Sequence, residues 1–537
     1  MTSLRLFRSF VLIVSIALLI GTPAILVSAA PHTGRLQEAG EPTPGGTLRM
    51  AISEEPDQLD PARTIELLAG QLMGNVLDAL VYIGDDGLPH GWVAESWQIA
   101  PDGKVITFKI RPGIKFHDGT PLDAAAVKFG YDRILDPAMA APYKEFLGTL
   151  QKVDAPDPAT VAFTFSEPYA AFFVNGATIG IVSPAGVAQF GDDFGHNPIG
   201  SGPFKFREWQ AGSKIVFERN PDYVNFREDD TNKGPAYVEA LEYNVIPEAA
   251  TQTAAFEAGE LDLLDVPRED LARLSEDPDV EIVTLEKSNN LNFIEFANRP
   301  PFNNPSFRKA VSYSIDRQAI IDLAYVGNAT VNQCPVPINN AAYDEALCAE
   351  HGYTFDQEKA KQMLAEAGWT DGDGNGIVEM EGKDLQVTLW SYAPYPTQSK
   401  TIEIMQADLN EVGIGTDIQV IEFGAMQPML ESGEIGFDYM RWTFSDQSIL
   451  TQLFKTPGWT KQTSDPALDA LLVKADTTVD PVARLEASRA AMVYVLDNAM
   501  IAPVISDWIQ TATGQQVHNY HWDALVNERL NDVWLTS

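Results

Sequence analysis

The order of local patterns along the chain constrains its fold more than any single motif does. Three segments alternate apolar and polar residues with a period of two: VITFKI (Val105–Ile110), TVAFTF (Thr160–Phe165) and KIVFER (Lys214–Arg219). Each reads as a half-buried strand, and PDG and RPG bracket the first as turn signals. After residue 300 the period changes. In PSFRKAVSYSI, Phe307, Val311 and Ile315 recur every four residues. In DQEKAKQMLAEAG, Asp356 is a fitting N-cap, Ala360, Met363, Leu364 and Ala367 share a face, and Gly368 is a fitting stop. LQVTLW (385–390) then reads as a strand, TIEIMQADLNEVG (401–413) as a helix, and DIQVIEF (417–423) as a strand. This β-α-β alternation predicts an α/β fold, with sheets covered by helices.

A chain of 537 residues exceeds one compact core, so two to four domains are expected. With 75 acidic against 37 basic residues, the net charge of −38 repels nucleic acid and anionic lipid, so no nucleic-acid partner is expected. The first residues read as an export signal: Arg5 and Arg8 precede the apolar run FVLIVSIALLI, and Val27 and Ala29 sit at the −3 and −1 sites of a cleavage before Ala30. A retained anchor helix over 10–30 is the alternative, although Gly21 and Pro23 interrupt it. Residues 30–45 read as a flexible leader. The expected location is the periplasm or the outer face of the cell envelope. In such a compartment the even pair Cys334 and Cys348 reads as a disulfide.

A search for reaction chemistry finds little, and no enzyme activity is expected. The seven histidines form no H-E-x-x-H signature, and no G-x-S-x-G elbow is present. Ser201, in IGSGPF, reads as part of a tight chain crossing. His518 and His521 lack a companion ligand set. One loop is a candidate for structural calcium: in DGDGNGIVEME, Asp371, Asp373, Asn375, the Ile377 carbonyl and Glu379 fall at positions 1, 3, 5, 7 and 9 of a calcium loop, but position 12 is Gly382. The competing reading is a polar turn. His117 beside Asp118, in IRPGIKFHDGTPL, resembles half of a catalytic pair. Asp118-Gly119 is also a turn signal, followed by a helix at DAAAVKFGYDRI.

The segment VAESWQIAPDGKVITFKIRPGIKFHDGTPLDAAAVKFGYDRIL (93–135) closely resembles the signature of the extracellular solute-binding proteins of peptide- and nickel-type ABC importers, family 5. GGTLRMAISEEPDQLDPA, IGSGPFKFREWQAGSKIVFERNPDY and FNNPSFRKAVSYSIDRQAII resemble further blocks of that family, in order. The resemblance implies a two-lobed periplasmic-binding-protein fold, type II, in its large three-domain variant, with the ligand cleft between the lobes. Lobe I would comprise 46–83, 203–288 and 503–537, the extra domain 84–202, and lobe II 289–502. His117 is then structural. A peptide or similar small solute would be captured by hinge closure and delivered by a monomer to the transmembrane subunits of a permease, with no required cofactor. A sensor of the same fold is the alternative; a secreted hydrolase is a further one.

The cleft residues that the resemblance implies are Glu54, Glu55 and Pro56 in SEEPDQLDP, the aromatics Trp390 and Tyr392 in WSYAPYP, and the stretch MRWTFSD. In peptide binders of the family the last stretch reads Gly-Trp, two further residues and an Asp that pairs with the ligand's amino group. Here Arg441 replaces the Gly, Trp442 matches, Thr443 follows, and Ser445 stands where the Asp belongs, with Asp446 next. Asp446 is therefore the expected anionic anchor, unless Arg441 neutralises it.

Overall fold

The computed structural model describes residues 41–392, 396–460 and 464–536. The expected signal segment and most of the expected leader lie outside the described residues. Among these residues, no helix is long and apolar enough to cross a membrane.

The expected strands occur where the alternation puts them. Val105–Ile110 and Thr160–Phe165 pair antiparallel inside a four-stranded sheet, with Ala94–Ile99 and Leu150–Asp157 at its edges. The helix Ala124–Leu135 covers this sheet, capped by the Asp123 carboxylate on the amides of Ala125 and Ala126. Their shared core is aromatic, with Phe108, Phe163, Phe165 and Phe172 fully buried. This is the extra domain.

Lobe I is assembled from distant parts of the chain. Thr47–Ile52 pairs in parallel with Ala240–Val245, and Lys214–Arg219 and Phe204–Gln210 complete the sheet. A smaller sheet places the late strand Ile509–Gly514 between Leu263–Asp265 and Val280–Leu285. Lobe II is built on six strands in the order Ala329–Val331, Ile501–Asp507, Asn290–Phe296, Phe437–Thr443, Gln386–Tyr392 and Gly415–Ile421. Its centre is buried on both faces: Ile294 and Tyr439 face one core, Leu291, Phe293 and Met440 the other. A buried sheet of this kind needs the helices that the 3.6 periodicity announced. The Asp356 cap is present, its carboxylate accepting from the Lys359 amide. Two boundaries shift. The helix expected over 401–413 is Pro396–Glu411, and the next strand starts at Gly415 because Gly413, at φ +89°, turns the chain at once. Lobe II does not end at 502: the strand Ile501–Asp507 lies wholly within its sheet.

His117 binds backbone only. The Gly200 amide donates to its Nδ1 at 3.4 Å, and its Nε2–H donates to the Gly202 carbonyl at 3.0 Å. That clamps the crossing at IGSGPF, where a β-carbon on Gly200 would lie 2.1 Å from the Val76 carbonyl oxygen. Asp118 accepts from the Ser183 hydroxyl and the Thr120 amide, closing the turn. Burial pushes the His117 pKa down to about 4. An unfolded histidine titrates near ~6.5. Below that pH the unfolded chain takes up a proton that the folded chain refuses. This contribution to stability therefore falls as pH drops from ~6.5 towards ~4, by up to about 3 kcal/mol, and levels off below. Urea unfolding at pH 7 and pH 4.5 should show a smaller acid loss in His117→Gln than in the wild type.

Candidate functional site

The chain crosses between the lobes at two adjacent places. Ser288 donates through its hydroxyl to the Asp507 carbonyl at 2.6 Å, and the Asn290 side chain donates to the same oxygen at 3.3 Å. The Asp507 carboxylate binds both lobes. It takes Arg268 of lobe I at 3.2 Å, Arg441 of lobe II at 3.2 Å, and the Asn292 amide group at 2.9 Å.

Beside these crossings lies a cleft of about 430 Å³. Its lobe II wall is Thr443, Phe444, Ser445 and Asp446, at and just past the end of the strand Phe437–Thr443. The opposite wall draws on the helix Leu67–Met73, the extra-domain residues Tyr143 and Phe146, the aromatics Tyr82 and Trp92, and a charged floor of Arg227, Asp523, Glu528 and Arg529. The floor is internally balanced. Arg529 holds Asp230 at 2.6 Å; burial would raise that carboxyl, yet the guanidinium brings it down to about 2. Arg227 pairs with Asp229 at 2.8 Å and Asp523 at 3.3 Å, and its guanidinium lies 4.4 Å from the Tyr82 ring centroid. Glu528 differs, because burial pushes its carboxyl up to about 7, with the Tyr520 hydroxyl donating to it at 2.6 Å.

The structure brings three of the ten expected ligand-binding residues to the cleft lining: Thr443, Ser445 and Asp446. The Asp446 carboxylate is already engaged. Arg484, from the helix Pro481–Asp497, donates to both its oxygens at 2.8 Å, and the Ser448 amide adds a bond at 2.8 Å. Burial would raise this acid, but the guanidinium overrides it and holds the pKa below the usual carboxylate range. Arg441 does not neutralise Asp446; its partner is Asp507. The indole of Trp442 packs on Trp459 and Phe293, at ring distances of 5.1 and 6.1 Å, rather than lining the cleft. Trp390 packs in the lobe II core, and the Tyr392 hydroxyl donates to the Arg441 carbonyl at 3.2 Å. Glu54 is exposed, Pro56 is buried, and Glu55 accepts from the Trp209 indole and the Gly212 amide, so that loop braces lobe I instead of lining the cleft. Sequence reasoning missed Tyr82, Trp92, Arg227, Asp523, Glu528 and Arg529. The one local signal was the density of aromatics and charges in NYHWDALVNERLNDVW.

Cys334 and Cys348 are joined, with their Cα atoms 5.2 Å apart. In the Asp371 loop the candidate calcium oxygens face their own backbone. Asp371 accepts from the amides of Gly374 and Gly376, Asp373 from that of Asn375, and Asn375 from that of Ile377. Asp371, Asp373 and Glu379 do not gather. Among the described residues the one group of three such side chains is Asp230, His521 and Asp532. There Arg529 already compensates Asp230, and the Thr231 and Asn232 amides occupy Asp532.

A two-lobed α/β molecule with a cleft at its crossing segments is the architecture of a solute receptor. The family model of the bacterial extracellular solute-binding proteins, family 5, matches residues 89–461, and the chain belongs to that family. The glutathione-binding protein GsiB of Shigella boydii serotype 4 is 25% identical over 489 residues, covering 88% of this chain and 91% of that one. The solved structure of HbpA2 from Haemophilus parasuis superposes with a TM-score of 0.78 at 27% identity, covering 92% of this chain and all of that one. The oligopeptide-binding protein AppA from Bacillus subtilis, solved with a nonapeptide, shares the fold at a TM-score of 0.67 and 23% identity, covering 93% of this chain and 100% of that one.

Proposed function

We propose that this protein captures a peptide-like solute in the cleft, closes on it by rotation about the crossing segments, and presents it as a monomer to the transmembrane subunits of an ABC permease. One observation carries the reading: a cleft lined from both lobes beside the two crossings. A ligand that touches both walls favours the closed form by its differential contacts. The names of the relatives, glutathione-binding and oligopeptide-binding, support the solute class. No step of bond chemistry is required of such a receptor, and export by the N-terminal signal would put it where its solute is.

The solute's ammonium group, where it has one, does not use Asp446, because Arg484 occupies both oxygens of that carboxylate. Glu528 is the better acceptor. Its carboxyl is poised near neutrality and bound by one hydroxyl, so a cation arriving beside it favours the ionised form. Thr443 and Ser445 contribute hydroxyls from lobe II. Calorimetry with short peptides, glutathione and nickel chelates tests this reading. A peptide-like hit should weaken by about tenfold or more in Glu528→Gln, in the range of a lost charged partner. If instead Glu528→Gln leaves affinity untouched, the ammonium lies elsewhere. Deleting the gene should then abolish uptake of the solute so identified; undiminished uptake would favour a sensor.

Structural calcium at Asp371, Asp373, Asn375, Ile377 and Glu379 would require Asp371, Asp373 and Glu379, which do not now gather, to converge on one ion. The expected result is equal melting temperatures in calcium and in chelator. A calcium-dependent rise in melting temperature, reflecting a stabilisation of about 2.7 kcal/mol at a hundredfold excess over the Kd, would assign the ion to this loop if Asp371→Ala removes it.

A further inference from the structure

Glu295 and Asp438 are cross-strand partners in the lobe II sheet, on the face that carries Phe293 and Met440. Such neighbours hold their β-carbons about 4.5–5.5 Å apart. Both are deeply buried, at 7% and 2% exposure. The Trp459 indole N–H donates to Glu295 Oε1 at 2.7 Å, whereas Glu295 Oε2 and Asp438 Oδ2 have no hydrogen-bond partner among the described residues. Both residues line a cavity of about 280 Å³ with walls of Leu430, Ile435, Leu453 and Phe454. It shares no lining residue with the cleft. Thr443, at the cleft end of the same strand, is five residues from Asp438, about 17 Å of extended chain.

An unpaired buried acceptor costs about 1–3 kcal/mol, and more when charged. Two such groups side by side therefore call for a donor. Among the described residues, the other charged groups lining this cavity do not supply one. Arg308 donates to the carbonyls of Phe302, Asn498 and Ala499, while Asp465 accepts from the Ala467 and Leu468 amides and the Tyr494 hydroxyl. A divalent metal would want six or more oxygens, and among the described residues Glu295 and Asp438 have no third His, Cys, Asp or Glu side chain gathered with them.

We propose that this cavity is a second ligand site, which takes a small alkylammonium ion with its N–H donors on Glu295 and Asp438 and its chain against Leu430, Ile435, Leu453 and Phe454. Burial raises both acids, Asp438 to about 7, which favours a proton on the pair when no cation lies beside it. The ammonium replaces that proton, which leaves to the buffer.

The test is calorimetry with n-butylammonium chloride at pH 7, in two buffers of different ionisation enthalpy. The wild type should bind one molecule per chain and release up to one proton. The double variant Glu295→Gln/Asp438→Asn keeps the shape of the site, and its fold is checked by its melting curve; it should bind at least about tenfold more weakly and release none. Should it fail to fold, Glu295→Gln alone must show the same direction. Gly70→Trp, which obstructs the cleft, should leave this binding intact. Absence of heat in the wild type, unchanged binding in the acid variants, loss of binding in Gly70→Trp, or proton release on adding calcium chloride in place of the amine would each overturn the assignment.

Discussion

Replacing Asp446 by alanine destabilises the protein by about 3–5 kcal/mol, the range for a buried ion pair that loses one member. Asp446 and Arg484 are 3% and 5% exposed at their side chains, and Arg484 Nε already lacks a partner. Without the carboxylate the guanidinium keeps its charge, because an arginine does not deprotonate, and is left with Asp476, which Thr451 and Lys455 already engage. The double replacement Asp446→Leu/Arg484→Met removes both charges and should recover most of the loss. Urea unfolding of the three variants checks this. Equal stability of Asp446→Ala and wild type would mean that Asp446 is not held by Arg484, and would restore it as a free anchor for ligand.

The second large effect is expected at Asp507. Asp507→Ala strips the shared anion from Arg268 and Arg441, one in each lobe, and frees the Asn292 side chain. Asp507 is 4% exposed, but both guanidinium groups reach solvent, so the loss falls near the low end of the same range, about 3 kcal/mol. A consequence for function accompanies it. The two arginines repel across the crossing, so the lobes separate more readily and ligand leaves faster. Stopped-flow release of a bound solute should be at least about fivefold faster in Asp507→Ala, the effect of about 1 kcal/mol. A variant that is destabilised yet releases solute at the wild-type rate would make Asp507 a brace of the fold alone.

Much of the architecture was legible because its signals are local. VITFKI, TVAFTF and KIVFER each bury one face more fully than the other, so most of the alternation survives in the sequence, and the strands occur with the expected bounds. Asp356 announced its helix because a cap acts over three residues. The His117 question was also open to local reasoning, since Asp118-Gly119 makes its turn within the motif. The site was less legible, since its determinants are distant. Asp446 meets Arg484 across 38 residues, Glu55 meets Trp209 across 154, and Arg529 meets Asp230 across 299. No period or spacing reveals such pairs. Acidic residues therefore resembled free ligand anchors when arginines or backbone amides held them. Aromatic residues misled likewise: Trp390 and Trp442 sit near strand ends, but the sheet turns their rings into its own core.

Solute that binds between the lobes should lose its hold when the cleft is blocked, which a thermal-shift screen reads out. Gly70 lines the cleft, sits in the helix Leu67–Met73, and has open space where a side chain would project. A β-carbon there meets no atom within 4 Å, so Gly70→Trp directs an indole into the cleft from an open position and removes a helix-weakening residue. Against a library of short peptides, glutathione and nickel chelates, at least one solute should raise the wild-type melting temperature, and Gly70→Trp should lose that rise while remaining as stable as the wild type. A rise of undiminished size in Gly70→Trp would place the ligand elsewhere and contradict the account.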